Sequence, residues 1–306
     1  MKVAITGATG FIGRHLVQRL QQAGHGVVVL ARNEPKARRL FPEVAFPNVT
    51  IVPYTPLALG DWQQALSACD GVLNLAGTPI AERWTPAYRQ LLRESRIATT
   101  QILVEAIAAA NPQPSVLISA SAIGYYGTSE TMVFDEVSVP AETDFLSQLC
   151  QDWEAAAKGV EAAGVRLVIP RIGIVLGQGG ALGRMLTPFR MFAGGPIGSG
   201  RQWFSWVAIE DLTNLLIQAL TDSQMQGIYN ATAPNPVTMT QACEALGQAL
   251  NRPSWLPVPD FVIETLLGDA AVVVLKGQKV LPRRTQATGF TYQYPQVTAA
   301  MKAVVA

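Results

Sequence analysis

Three glycines recur at intervals of three, Gly7, Gly10 and Gly13, with Ala8, Thr9, Phe11 and Ile12 between them, directly after a short apolar run and at the head of a helical pattern. At such a junction glycine permits a tight turn, close approach of a pyrophosphate and close helix–strand packing, and the helix amides then meet the phosphates. The indicated chemistry is dinucleotide binding by Gly7, Thr9, Gly10, Phe11, Ile12 and Gly13. The second apolar run ends at Ala31-Arg32, about where an acid would hold a ribose 2′-hydroxyl. A guanidinium there favours a 2′-phosphate, so Ala31 and Arg32 point to NADP(H), while Glu34, two positions on, argues for NAD. Asn74, Leu75, Ala76 and Gly77 close the fourth run with small residues that would let the cofactor cross the sheet edge.

A second constellation lies at residues 184–206, where Arg184, Arg190 and Arg201 alternate with Phe189, Phe192, Trp203, Phe204 and Trp206 among Gly194, Gly195, Gly198 and Gly200. Aromatic walls with convergent cations suit an anionic or planar ligand, and the same pattern also describes a core lid whose arginines face water. Arg83 and Trp84, after the fourth run, would close the same cleft. Arg83, Trp84, Arg201 and Trp203 are thus the candidate substrate contacts. His15 and His25 are the only histidines, so no metal-ligand set is expected by spacing. A Gly-x-Ser-x-Gly nucleophile motif is absent.

These groups must be held by a scaffold, and the first half of the chain alternates short β-branched runs with longer helical patterns. Strands are expected at 3–6, 27–31, 50–52, 71–75, 116–119 and 166–170, and helices at 11–23, 61–68, 85–110 and 145–163. That order predicts an α/β fold, a Rossmann-type doubly wound parallel sheet. After residue 171 glycine and aromatic clusters precede a strand–helix–strand return at 204–231 that rejoins the sheet. Helices at 239–250 and 261–267 then alternate with proline loops as a small, mostly helical cap. The expected division is a dinucleotide-binding domain at 1–235, with 171–204 contributing to the cleft, and a C-terminal domain at 236–306.

Composition narrows the function classes. The 306 residues carry a net charge of +1, with 49% hydrophobic and 15% charged residues, which excludes disorder and disfavours a nucleic-acid partner. Cys69, Cys150 and Cys243 are scattered, with no C-x-x-C, and read as reduced thiols in a reducing compartment. The chain opens on an apolar strand rather than a secretory pattern, and the longest apolar stretch, 261–275, is interrupted by Glu264, Gly268 and Asp269. The expectation is a cytoplasmic protein with a small-molecule substrate and no transmembrane segment. A protein partner remains an open alternative.

The residues at 7–13, 74–77 with Arg83-Trp84, Ser95-Arg96, 121–127, Trp153-Glu154, 171–177, 194–206, 231–234 and 277–282 resemble the atypical, extended branch of the short-chain dehydrogenase/reductases. More narrowly, nearly the whole chain is similar to epimerase-family proteins described as nucleoside-diphosphate-sugar epimerases or cell-division inhibitors. The block at 277–282 is the mark of their C-terminal domain. The resemblance implies a Rossmann fold with NADP(H) and a substrate generally unassigned.

Ordinary members carry a Tyr-x-x-x-Lys pair, in which lysine tunes the phenol for acid–base work. Here no tyrosine has lysine four residues later, and Cys150 and Glu154 stand near those positions. Arg96 and Arg171 complete the candidate cofactor contacts: Arg96 stands where relatives usually have asparagine and could clamp a phosphate or a carboxylate, and Arg171 could add positive field. Ser121 ends the fifth strand and Tyr125 and Tyr126 follow in a glycine-bounded turn, so Ser121 with Tyr125 or Tyr126 are the candidate catalytic hydroxyls. Glu154 reads either as a general base or as a packing and pairing residue, and Cys150 as a buried thiol. Asp211 is expected to cap or pair structurally. Two functions follow: an NADP(H)-dependent oxidoreductase or epimerase-like enzyme acting on a small carbonyl or alcohol, or an NADPH-binding regulatory or assembly protein without turnover.

Overall fold

The computed structural model describes residues 1–141 and 144–305. In chain order the strands are β1 (Lys2–Thr6), β2 (Gly26–Ala31), β3 (Val49–Pro53), β4 (Gly71–Asn74), β5 (Val116–Ser119), β6 (Ser121–Ala122), β7 (Val133–Phe134), β8 (Arg166–Ile172), β9 (Ile174–Leu176), β10 (Trp203–Phe204), β11 (Trp206–Ala208), β12 (Gly227–Ala231), β13 (Val237–Thr238) and β14 (Lys279–Val280). The main sheet runs β12-β8-β5-β4-β1-β2-β3, with every pair parallel and β6 also paired to β8. Chain direction across the sheet reverses between β1 and β4, the switch point at which doubly wound folds bind ligands beyond the strands' carboxyl ends.

Side-chain alternation along the strands builds two cores. Val3, Ile5, Val27, Val29 and Ile118 face the helices Phe11–Gln22 and Ile209–Thr221, meeting Leu16, Val17, Leu20, Leu212 and Leu216. Ala4, Val28, Leu30, Val72 and Leu117 face the opposite layer, with Leu66, Leu103, Ile107 and Val160. Burial on both faces is why these strands read as continuous apolar runs.

The expected helices at 85–110 and 145–163 are observed as composites. Pro86–Arg93 and Thr99–Ala109 are joined by a wider π turn at Glu94–Ala98, and Phe145–Lys158 tightens into a 3₁₀ turn at Gly159–Ala163. Residues 61–68 form a 3₁₀ rather than an α-helix. The return after residue 204 does rejoin the sheet, as β12 against β8. The C-terminal portion is tied in by β13 on β10 and β14 on β7, and the helix Val297–Val305 packs on Met239–Leu250 around Leu176, Phe204 and Trp206. No helix among the described residues is long and apolar enough to cross a membrane.

Candidate functional site

The glycine turn is built as tightly as its spacing implies. Gly7 has φ +71°, and a Cβ on it would lie 2.6 Å from the Leu75 carbonyl carbon. A Cβ on Gly13 would come within 2.4 Å of the Gly7 carbonyl oxygen, so only glycine allows this helix to meet its strand. Gly10 caps the helix Phe11–Gln22, and the Phe11 ring is covered by the backbone of Gly177 and Gly179. Thr9, Phe11 and Ile12 are half-buried around the turn. This cradle, which a Cβ would fill, fits a dinucleotide pyrophosphate.

At the end of β2, Ala31 is buried and Arg32 is exposed, and Arg32 has no carboxylate partner among the described residues. Glu34, the competing acid, is turned onto Arg38 at 2.6 Å, and Asn33 accepts the Lys36 amide to start the helix Glu34–Leu40. The two residues that argued for opposite cofactors are thereby separated. Asn74 departs from its expected role. Its side chain is 2% exposed and turns into the sheet, accepting from Thr6 at 2.8 Å and donating to Thr100 at 2.8 Å and Ser119 at 3.2 Å. It locks the carboxyl ends of three strands together, leaving Leu75, Ala76 and Gly77 at the surface of the crevice.

Ser121, Tyr126 and Arg171 are brought together, but in a buried network. The helix Phe145–Lys158 starts at Asp144, which accepts the Ser147 amide at 2.7 Å, and its face carries Cys150 and Glu154 toward β6 and β8. Glu154 takes a two-pronged ion pair from Arg171, Nε to Oε1 and Nη2 to Oε2, both at 2.8 Å. Ser121 donates its hydroxyl proton to the same Oε1 at 2.7 Å. Arg171 also donates to the Tyr126 hydroxyl at 3.0 Å, and that hydroxyl donates to Asn230 at 2.8 Å. Burial alone would lower the Arg171 pKa, but the hydrogen bonds and charge of Glu154 hold it above the ordinary arginine value. Burial pushes the Tyr126 phenol up to about 12, against the pull of Arg171. Glu154 is therefore a pairing residue, and Tyr126, Ser121 and Arg171 hold one another. Tyr125 is half-buried, its ring flat against the Arg171 guanidinium at 3.3 Å.

A cleft of about 210 Å³ opens beyond these strand ends. Its walls are Ala122, Ile123 and Gly124 after β5, Ile172, Gly173 and Ile174 where β8 passes into β9, Leu149, Cys150 and Trp153 on the helix, and Val272, Val273 and Lys276 from the C-terminal portion. Arg96 and Trp203 also line it; Ser121, Tyr125, Tyr126 and Arg171 do not. Cys150 lines this wall, and burial, with the Glu154 charge adding, pushes its thiol up to about 12.

The other expected substrate residues disperse. Trp84 is 8% exposed and packs edge-on to Phe145, donating to the Ile80 carbonyl, because it fills the seam between the loop and the C-terminal segment. Arg83 donates to the Thr265 carbonyl at 2.8 Å, Arg184 pairs with Glu82 at 2.9 Å, and Arg190 and Arg201 are exposed. Phe189, Phe204 and Trp206 are core, and Phe192 is 61% exposed. Asp211 is structural, accepting the backbone amides of Gln293 and Tyr294 at 2.7 and 3.0 Å. Val272, Val273 and Lys276 escaped sequence reasoning because the apolar stretch around them looks like a buried helix pair. The only available signal was the neighbouring Gly277-Gln278 block, whose Gln278 donates to the Ile123 carbonyl at 2.8 Å and so pulls this segment onto the cleft. Among the described residues no cluster of His, Cys, Asp and Glu could hold a metal.

Residues 3–232 match the model of the NAD dependent epimerase/dehydratase family, and residues 258–304 match a domain of unknown function, DUF1731. The structure of human epimerase family protein SDR39U1, solved with NADPH, superposes with a TM-score of 0.87 at 37% identity over 99% of each chain. In sequence, the chloroplastic SDR39U1 homolog of Arabidopsis thaliana is 48% identical over 100% of this chain and 87% of its own length. Epimerase family protein YfhF of Bacillus subtilis is 38% identical over 100% of this chain and 98% of its own. A family model spanning the parallel sheet, with relatives 38–48% identical along the whole length, makes this chain a member of the NAD dependent epimerase/dehydratase family.

Proposed function

We propose that the protein is an NADP(H)-dependent oxidoreductase of the atypical short-chain class that acts on a small carbonyl or alcohol. The observation that carries the cofactor is Arg32, a guanidinium at the end of β2 with no carboxylate partner among the described residues, whose rival acid, Glu34, is engaged by Arg38. A 2′-phosphate answers that charge and a 2′-hydroxyl does not. The NADPH bound by the human relative agrees with it. With its pyrophosphate in the glycine cradle, the bound dinucleotide would supply hydride chemistry from its nicotinamide. The chain's own contribution is the adjoining cleft, whose Leu149, Trp153, Val272 and Val273 walls exclude water from a small substrate.

One observation favours a second reading, an NADPH-binding regulatory or assembly protein without turnover. Cys150 and Glu154 replace the tyrosine–lysine pair, and the Ser121 hydroxyl is committed to Glu154. Titration of NADPH and NADH against wild type and Arg32→Ala tests the cofactor. One charge-assisted hydrogen bond to the 2′-phosphate, worth about 1.5–3 kcal/mol, corresponds to a preference for NADPH of about 10- to 100-fold, abolished by the substitution. Equal affinities in the wild type remove the NADP(H) assignment. Incubation of the loaded protein with a panel of carbonyl compounds then separates the readings, since loss of reduced nicotinamide absorbance supports the enzyme and tight binding without oxidation supports the second.

A further inference from the structure

Arg96 is the one half-buried cation lining the cleft, and it has no carboxylate partner among the described residues. It sits on the π turn Glu94–Ala98, inside an otherwise regular pair of helices. Such bulges interrupt the helical ladder and concentrate at functional sites. Thr99 compensates locally by donating its hydroxyl to the Ser95 carbonyl at 2.8 Å. The turn directs the Arg96 guanidinium between Gly77 and the Trp153 ring, with its central carbon 5.3 Å from the ring centroid. Of its five N–H donors, one makes a short hydrogen bond, to the Thr78 carbonyl at 2.9 Å. Contacts to the Leu92 carbonyl and the Ser95 hydroxyl are both 3.4 Å. No carboxylate among the described residues lies within ion-pair distance.

Arg96 is half-buried, and a partly desolvated cation without a counter-charge is costly, a cost that an anion arriving from outside would offset. Burial lowers the Arg96 pKa, which agrees with that cost. The other charges lining the cleft are Lys276 at its exposed rim and Asp144, whose carboxylate is occupied by the Ser147 amide. Leu149, Trp153, Val272 and Val273 give the cleft apolar walls beside the uncharged polar residues Thr128, Ser205 and Gln278. At about 210 Å³ the space lies below the 300–1,000 Å³ usual for drug-sized ligands, so its occupant is small.

We infer that the cleft takes a small carbonyl compound bearing one anionic group, the anion on Arg96 and the apolar body against Trp153 and Leu149. The inference rests on the oxidoreductase reading and names its substrate class. Anion chemistry at Arg96 has two sources, the substrate's carboxylate or the cofactor's pyrophosphate, since Arg96 also adjoins Gly77 at the dinucleotide crevice.

The test is calorimetric titration of 2-oxohexanoate and its neutral counterpart hexan-2-one into the protein with and without NADPH, using wild type, Arg96→Met and Arg96→Lys. The expected result is binding of the oxo acid at least 10-fold tighter than the ketone. Arg96→Met brings the acid down to the ketone's level while the NADPH affinity stays within twofold, and Arg96→Lys retains most of the preference. Because Arg96→Met keeps bulk and removes an unanswered charge, its melting temperature without ligand is equal to or above that of wild type, which separates a binding defect from misfolding. An oxo acid that binds no better than the ketone in either state overturns the inference. So does a 10-fold loss of NADPH affinity in Arg96→Met with the acid preference unchanged, which assigns Arg96 to the pyrophosphate. Failure of NADPH to bind the wild type is a separate result: it removes the cofactor reading, while the titration without NADPH still decides for or against the anion.

Discussion

Replacing Glu154 by glutamine changes one oxygen to an amide and removes one charge, yet its effect on stability should be large. Glu154 and Arg171 are 5% and 2% exposed at their side chains, so neither charge is screened by water. Removing one partner leaves the other buried and uncompensated, at a cost of about 3–5 kcal/mol. Scaled by the unfolding entropy of a chain this long, that is a fall in melting temperature of roughly 5–8 °C. Urea unfolding with an unchanged denaturant slope is the assay, because a changed slope would signal a different unfolded or native state. The double variant Glu154→Gln with Arg171→Met removes both charges and should recover more than half of the loss, a coupling that two independent sites would not give. A loss below 1 kcal/mol in Glu154→Gln, or a double variant as unstable as the sum of the singles, would refute the claim that the pair is dry and mutually dependent. The same reasoning explains why lysine at position 154 would not restore an ordinary active site: it would face Arg171 across a buried contact with like charge.

Two further outcomes follow from the site's surroundings. All three thiols are buried, and burial raises Cys69 to about 11 and Cys150 and Cys243 to about 12, so the native protein should react negligibly with a disulfide reagent at pH 8 and release three equivalents once unfolded. One fast-reacting thiol in the native state would contradict the packing around Cys150. His15 lies edge-on to Phe11 at 5.6 Å, and burial lowers its pKa below the usual 6.5 against the opposing attraction of Glu210. The unfolded chain then binds more protons than the folded one, so this residue's contribution is intact above about pH 6.5 and is lost as the pH falls toward the folded value. His15→Gln should flatten the decline in unfolding free energy between pH 7 and 5, and an identical decline in both proteins would exclude His15 as its source.

Much of the scaffold was legible in the chain itself because its rules are local. A strand buried on both faces must be apolar throughout, so Val27–Ala31 and Val116–Ser119 announced themselves, and Gly7 and Gly13 marked a turn that any Cβ would obstruct. Arg32 and the missing Tyr-x-x-x-Lys pair are likewise properties of spacing along one element. From these the family, the doubly wound sheet and the dinucleotide cradle follow.

Partnerships between distant segments were decided only by the tertiary structure. Glu154 and Arg171 are 17 positions apart and Tyr126 and Asn230 are 104 apart, and nothing in either neighbourhood says that they meet. Two hydroxyls and a cation that looked poised for chemistry, Ser121, Tyr126 and Arg171, are satisfied through Glu154 and Asn230 once the sheet and the helix Phe145–Lys158 close around them. The cleft wall is completed by Val272, Val273 and Lys276 because Gln278 returns to Ile123, a contact across 155 positions. Local sequence specifies which backbone conformation each segment prefers, since that depends on sterics within a few residues. Whether a charged side chain is answered inside the fold, as Arg171 is, or left facing a cleft, as Arg96 is, depends on which remote elements pack beside it.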